Sequence, residues 1–328
     1  MTDMLRIEDA FVHYRVDGHD VQALDGASLV VAAGETVGVV GESGSGKSTL
    51  GLLPGRLLPG NAALQSGVVT VDGQDLAALD EAGVRALRRD RLAFIPQDPI
   101  GALNPTLRIG RQLRVALRAA GRPAVDVVEL LDRVKIAEPE RVAHLYPHEI
   151  SGGMAQRVVV AMAMARRPRL LIADEPTAAL DTQVRNEVLQ LIFGYAAEAG
   201  ATIVWLSHDL NAVTKWCDRV AVMYGGRVVE AGPAGEVLGD PRHPYTAALA
   251  SADPAKAGEG QRLHAIGGNP PILLASATGC AFAPRCAHAD ESCADVRPEQ
   301  DARGGRLVTC HHPLAETSRV ASREKVGC

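Results

Sequence analysis

Gly41-Glu42-Ser43-Gly44-Ser45-Gly46-Lys47-Ser48 follows the apolar run Thr36-Val37-Gly38-Val39-Val40 and precedes a stretch predicted to turn helical near Lys47. The order strand, GxxxxGK[ST], helix is the context in which a glycine-rich loop binds phosphate. Its glycines let backbone N–H groups curl around phosphate oxygens, and the helix N-terminus adds positive potential. Lys47 is placed to reach the terminal phosphates and Ser48 to ligate Mg²⁺. Gly41, Ser43, Gly44, Ser45, Gly46, Lys47, Ser48 and Thr49 are therefore candidate nucleotide contacts.

Outward from the loop, strand-like and helical stretches alternate from Leu5 to about Ala231, which predicts an α/β fold with a substantially parallel central sheet. Leu170-Leu171-Ile172-Ala173 and Thr202-Ile203-Val204-Trp205-Leu206 are apolar throughout, as strands buried on both faces are. Ile109, Leu113, Ala116 and Leu117, and then Val127, Leu130, Leu131 and Val134, recur at helical spacing, so a helical insertion is expected over about 98–165. Beyond Ala231, Pro233, Pro241, Pro244, Pro254, Pro270 and Pro271 punctuate the chain. A boundary is placed at 237/238, dividing a nucleotide-binding domain, 1–237, from an extension, 238–328, whose last fifteen or so residues are expected to be loosely ordered.

A second acidic element closes one strand. Leu170-Leu171-Ile172-Ala173-Asp174-Glu175 puts two carboxylates at the end of an apolar run, which alone could cap a turn. Beside a phosphate loop the pair has distinct expected tasks: Asp174 holds Mg²⁺ through water, and Glu175 polarises the attacking water.

The 328 residues allow two compact units, and 47% hydrophobic with 22% charged residues is an ordinary globular composition that excludes a fibre. A net charge of −5 and 3% aromatics argue against a general nucleic-acid binder. Met1-Thr2-Asp3-Met4-Leu5-Arg6 has neither the charge order nor the apolar run of a signal peptide, so a cytosolic protein is expected. The longest apolar run, Val158 to Ala165, is far short of the ~20 residues that span a bilayer.

Ile150-Ser151-Gly152-Gly153-Met154-Ala155-Gln156-Arg157 resembles the LSGGQ signature of ABC-transporter ATPases, with Ile150 and Met154 where Leu and Gln are commonest. It falls between Gln97, in Ile95-Pro96-Gln97-Asp98-Pro99, and the acidic strand, as that family requires. Ala179-Leu180-Asp181 looks like the D-loop, and His208, in Leu206-Ser207-His208-Asp209, like the switch histidine. Tyr14 matches the aromatic that stacks on adenine, a core tyrosine being the alternative. Leu103-Asn104-Pro105-Thr106, Tyr146-Pro147-His148-Glu149 and His243-Pro244-Tyr245-Thr246 narrow the resemblance to the dipeptide/oligopeptide/nickel import branch.

The resemblance implies a phosphate-loop ABC ATPase core with a helical subdomain, hydrolysing ATP to ADP and phosphate. Two such subunits, here with a non-identical paralogue, meet head to tail. Ser151, Gly152, Gly153 and Asp181 then serve the partner's nucleotide, and Gln97 serves both Mg²⁺ and catalysis. Two membrane permease subunits and an extracytoplasmic solute-binding protein complete the assembly, this chain lying peripherally on the cytoplasmic face. The implied work is import of a dipeptide or oligopeptide. The alternatives are a nickel or metal-chelate importer, a soluble ABC ATPase outside transport, and an iron-sulfur sensor.

Cys280, Cys286, Cys293 and Cys310 are separated by five, six and sixteen residues, while Cys217 and Cys328 stand apart as a packing residue and a tail residue. A reducing cytosol favours metal or redox chemistry over disulfides. Structural zinc usually takes closer pairs, and four thiolates can also hold a [4Fe-4S] cluster, so spacing leaves both open, with unligated thiols a third reading. The extension, with Gly279-Cys280-Ala281-Phe282 and Pro284-Arg285-Cys286, resembles that of importer ATPases in which a [4Fe-4S] cluster occurs, which implies the cluster, with zinc as the alternative.

Overall fold

Successive residues of the central strands are sent to two different cores. Leu171, Ala173, Ile203 and Trp205 pack into one, while Leu170, Ile172, Val204 and Leu206 pack into the other. A strand's side chains alternate between faces, so a run with no polar alternation marks a sheet covered on both sides. The computed structural model describes residues 2–123, 125–178, 180–252, 266–271, 274 and 277–315.

The chain opens with β1 (Asp3–Val16), β2 (His19–Ala32) and β3 (Thr36–Val40), then α1 (Lys47–Leu52), β4 (Ala62–Val71) and β5 (Gln74–Asp75). Next come α2 (Glu81–Asp90), β6 (Leu92–Ile95) and the helices α3 (Ile109–Ala119), α4 (Val127–Arg133), α5 (Pro139–Ala143) and α6 (Gly152–Ala165). Strand β7 (Leu170–Asp174), α7 (Thr182–Ala199), β8 (Thr202–Ser207), α8 (Leu210–Trp216), β9 (Arg219–Tyr224) and β10 (Arg227–Pro233) follow. The last part holds α9 (Ala234–Gly239), α10 (Pro244–Ser251), α11 (Glu291–Asp295), β11 (Gln300–Arg303) and β12 (Arg306–Thr309).

The larger sheet has the order β11-β12-β10-β9-β3-β8-β7-β6. From β9 to β6 all neighbours are parallel, as the apolar runs predicted, whereas β10 and β12 add antiparallel strands at one side. A second, antiparallel sheet, β2-β1-β4-β5, encloses one core with Met4, Leu5, Ile7, Leu24, Leu29 and Val31. The opposite core receives α3, α4, α6 and α7, where Phe193 stands edge-on to Trp205 at 5.3 Å and stacks on Trp216 at 5.0 Å. Cys217 is buried in this core, and burial pushes its thiol up, as suits a packing residue.

The prolines after Ala231 do not detach the extension from the sheet. Glu230 and Ala231 of β10 pair with Val308 and Leu307 of β12. A buried ion pair adds a second tie: Arg227 Nε and Nη2 donate to Asp25 Oδ2 at 2.8 and 2.5 Å, with Asp25 fully buried. Arg227 also donates to the carbonyls of Ala277 and Gly279, and Arg297 to that of Asp25. One guanidinium thus joins β10, β2 and the extension. The expectations for Cys328 and for the loosely ordered tail concern positions outside the described residues.

Removing one partner of such a pair leaves the other as an uncompensated buried charge, a loss of about 3–5 kcal/mol. Asp25→Ala should therefore lower the denaturant midpoint of the purified chain sharply, with the slope little changed; a midpoint within experimental error of the parent would show that Asp25–Arg227 does not fasten the extension.

Candidate active site

Parallel strands end at one edge of their sheet, so β3, β7 and β8 deliver their following loops to one place. The phosphate loop follows β3, Glu175 follows β7 and His208 follows β8. Together with Gln97 they line a cavity of about 610 Å³ whose walls include Gly41, Glu42, Ser43, Gly44, Gly46, Lys47, Ser48 and Thr49. Ala23, Leu210 and Leu249 complete part of its wall.

Two glycines of the loop are required by its path. Gly41 has φ 154, and a Cβ there would meet the Met223 carbonyl at 2.2 Å; Gly46 has φ 101, and its Cβ would meet the Ala23 carbonyl at 2.6 Å. Lys47, at the start of α1, donates from Nζ to the carbonyls of Gly41 and Glu42 at 2.8 and 2.9 Å. Burial lowers its pKa, while Glu175, Asp174 and Glu42 act in the opposite direction.

Asp174 is buried, which raises its pKa, and the Ser48 hydroxyl bonds its carboxylate and lowers it. Asp174 Oδ1 has no protein partner, and Ser45 Oγ is likewise buried without one. A buried carboxylate oxygen with no donor beside a hydroxyl is the chemistry of a Mg²⁺ site, so the residues fit that ion.

Glu175 adopts φ 42, a left-handed conformation that costs a non-glycine residue about 1 kcal/mol or more. Its N–H donates to the Leu206 carbonyl at 3.0 Å, which ties the turn to β8. The carboxylate oxygen Oε2 then lies 3.2 Å from His208 Nδ1 and accepts from Gln97 Nε2 at 3.4 Å. Three residues widely separated in sequence meet on one oxygen.

Tyr14, in β1, places its hydroxyl 3.3 Å from Thr49 Oγ1 and is half-buried beside the cavity rather than among its lining residues. Ser151 and Asp181 sit apart from that lining, each as a helix N-cap: Ser151 Oγ accepts from the Met154 N–H, and Asp181 Oδ1 from those of Gln183 and Val184. Ser151 and Gly152 are exposed, and Gly153 is half-buried. Ala179 lies outside the described residues.

The four clustered cysteines converge on a separate pocket shared with His243, Phe282 and His288, and all four are free thiols. Backbone N–H groups point at them: Phe282 and Ala283 at Cys280, His288 at Cys286 Sγ at 3.4 Å, and His312 at Cys310. Burial nevertheless raises Cys280 and pushes Cys310 up to about 11. Among the described residues, Asp290, Cys293 and His312 bring three donor atoms within 4.8 Å of one another. Thiolate and imidazole are ligands of zinc, and four thiolates can also hold a metal–sulfur cluster, so the donor set fits either group.

Sequence reading missed two neighbours of the phosphate loop. The Glu42 N–H donates to the Tyr245 hydroxyl at 2.8 Å, and the Glu42 carboxylate pairs with Arg285. Both residues lie beyond position 237, and no local pattern announces a contact across some 200 positions.

Residues 24–178 match the family described as ABC transporter, and residues 229–293 the family described as oligopeptide/dipeptide transporter, C-terminal region. The oligopeptide transport ATP-binding protein OppD of Escherichia coli strain K12 is 40% identical over 318 residues, covering 95% of this chain and 94% of that protein. OppD of Bacillus subtilis strain 168 is 40% identical over 299 residues, covering 88% and 83%. Among solved structures, the dimeric ATP-binding cassette MJ0796 in a post-hydrolysis state with ADP and Pi is similar at TM-score 0.63 and 29% identity, covering 70% of this chain and 99% of that one.

Lys47→Ala should weaken ATP binding by ~1.5–3 kcal/mol through loss of charge-assisted hydrogen bonds. Titration of the purified chain with nucleotide checks this, and unaltered affinity would place Lys47 away from the phosphates.

Proposed function

The chain belongs to the ABC transporter ATPases, with the C-terminal region of their oligopeptide/dipeptide branch, and from that premise we propose that it energises import of peptides across a membrane spanned by other subunits. Among the described residues no helix is long and apolar enough to cross a membrane, and the reading places the chain peripherally on the cytoplasmic face. The 40% identity to oligopeptide transport proteins over nearly the whole chain supports a peptide as the solute.

The observation that carries the mechanism is the shared oxygen of Glu175, held by Gln97 and His208 at the wall of the phosphate-loop cavity. Lys47 and the loop from Ser43 to Thr49 bind the phosphates, and Tyr14 stacks on the adenine. Ser48, Asp174 and Gln97 hold Mg²⁺, which when bound neutralises charge on the phosphate oxygens. Glu175 accepts hydrogen-bonding from the attacking water and draws its proton, while His208 and Gln97 keep that carboxylate aimed at the cavity.

Ser151, Gly152, Gly153 and Asp181 lie apart from the chain's own cavity, which supports their facing the nucleotide of a second ATPase, a non-identical paralogue. Closure of the pair around ATP makes contacts that hydrolysis removes, so the nucleotide biases an open and a closed arrangement. Residues from Gln97 through α3 pass that movement to two permease subunits, and an extracytoplasmic binding protein delivers the solute.

We further assign the division 1–237 and 238–328, with a helical subdomain over about 98–165, as one of chemistry rather than of sheet. In the extension Cys280, Cys286, Cys293 and Cys310 hold a [4Fe-4S] cluster that fastens a proline-rich segment. Iron and sulfide in equal amounts in anaerobically purified protein would support this; zinc in their place, or no metal, would overturn it.

Glu175→Gln should retain ATP binding while turnover of the assembled transporter falls by roughly 10²–10⁴-fold. Unchanged turnover would remove Glu175 from the water. A complex co-purified through this chain should also hydrolyse ATP faster with a peptide-loaded binding protein; assembly without that stimulation would point to a different solute.

A further inference from the structure

The phosphate loop carries an acid, Glu42, where an anionic ligand is to bind, and its carboxylate is met from outside the ATPase segment. Arg285, beside Cys286 in the extension, has a side chain only 5% exposed. Its Nη1 and Nη2 donate to Glu42 Oε2 and Oε1 at 2.7 and 3.1 Å, a two-pronged pairing. Nη1 also donates to the Tyr224 hydroxyl at 3.1 Å, Nε to the Gly267 carbonyl at 2.7 Å and Nη2 to that of Ile266 at 3.3 Å. The guanidinium lies over the Tyr224 ring at 5.7 Å, and Tyr224, Tyr245 and Phe282 pack on one another at 4.5 to 5.4 Å. Arg285 is thus held on every arm before it reaches Glu42.

Glu42 in turn is tied through its side chain, its N–H and its carbonyl, which also accepts from the Ser45 N–H at 3.2 Å. Its side chain meets Arg285, its N–H meets Tyr245, and its carbonyl is one of the two that hold Lys47 Nζ. An unpaired carboxylate at this point would repel triphosphate, and a bidentate arginine offsets that charge while fixing the backbone.

We propose that Arg285 is a positioning residue of the nucleotide site: by neutralising and anchoring Glu42 it sets the loop carbonyls that hold Lys47, so that the C-terminal extension is a working part of ATP binding. The inference rests on the nucleotide-site reading above. It assigns the extension a task at the ATPase centre that is independent of which metal its cysteines take.

The test compares ATPase KM and kcat of the assembled transporter for the parent, Arg285→Ala, Arg285→Lys, the double variant Arg285→Ala with Glu42→Gln, and Glu175→Gln. Arg285→Ala should raise the KM for ATP about tenfold with kcat within about threefold. Arg285→Lys should recover part of the loss, because an ammonium supplies charge without the fork. Removing the stranded carboxylate in the double variant should lower KM about threefold from that of Arg285→Ala, because the repulsion is relieved while the anchor stays lost, and a purely structural role for Arg285 would give no such recovery.

An unaltered KM in Arg285→Ala overturns the proposal, as does a double variant no better than Arg285→Ala. Should Arg285→Ala fail to assemble, Arg285→Lys decides: a parental KM there overturns it. Metal content of each variant is measured alongside, and a KM change that follows metal loss rather than the Glu42 substitution also counts against it. Full turnover in Glu175→Gln would instead overturn the site reading itself, whereas loss of turnover there with a parental KM in Arg285→Ala overturns this inference alone.

Discussion

The parallel alignment of β3 with β8, and of β8 with β7, is the constraint on which the site depends. Because these strands run the same way, the loops that leave them emerge at one edge, and residues far apart in sequence become neighbours without any local signal between them. The sheet can take this form because both of its faces are covered, by the antiparallel sheet on one side and by the helices on the other. Burial on both faces in turn demands the uninterrupted apolar strands seen in 170–173 and 202–206.

Much of this was legible in the residues. The phosphate loop announced itself because glycine is needed where φ is positive and a side chain would strike backbone, as at Gly41 and Gly46. The roles considered for Asp174, Glu175, Gln97 and His208 came from motif order, and the geometry adds what order cannot: that Glu175 turns through an unfavourable backbone conformation to put one oxygen against two partners. The antiparallel sheet was not read, because its strands have mixed burial: β1 and β2 expose the charged Glu8, Asp9 and Asp20, and β4 exposes the apolar Leu64 and Val68, which blurs their period. Nor were Arg227 with Asp25 and Arg285 with Glu42, since charge pairs across some 200 positions leave no pattern in either segment.

Among the described residues of the extension, Leu238, Tyr245, Ala250, Phe282, Cys293 and Val308 are the buried hydrophobic ones, and past Ala250 they are only three. Its attachment is instead polar and aromatic: two buried arginines, one in β10 and one beside Cys286, and the ring cluster of Tyr224, Tyr245 and Phe282. Such contacts need exact partners to offset desolvation, and each arginine here is surrounded by carbonyls as well as by its carboxylate. Attachment of this kind is directional, and it fixes where the extension lies as well as whether it stays.

The pairing of β12 with β10 also governs how the molecule ends in space. The outermost strand on that side is β11, only four residues long, fully exposed and bearing Asp301 and Arg303. A short charged margin of this sort offers a poor template for another chain. A protein cut back after β10 would present Arg227–Pro233 as a bare margin instead, a strand buried along nearly its whole length. The extension therefore keeps the molecule from self-adhesion, and its loss would be felt first as insolubility.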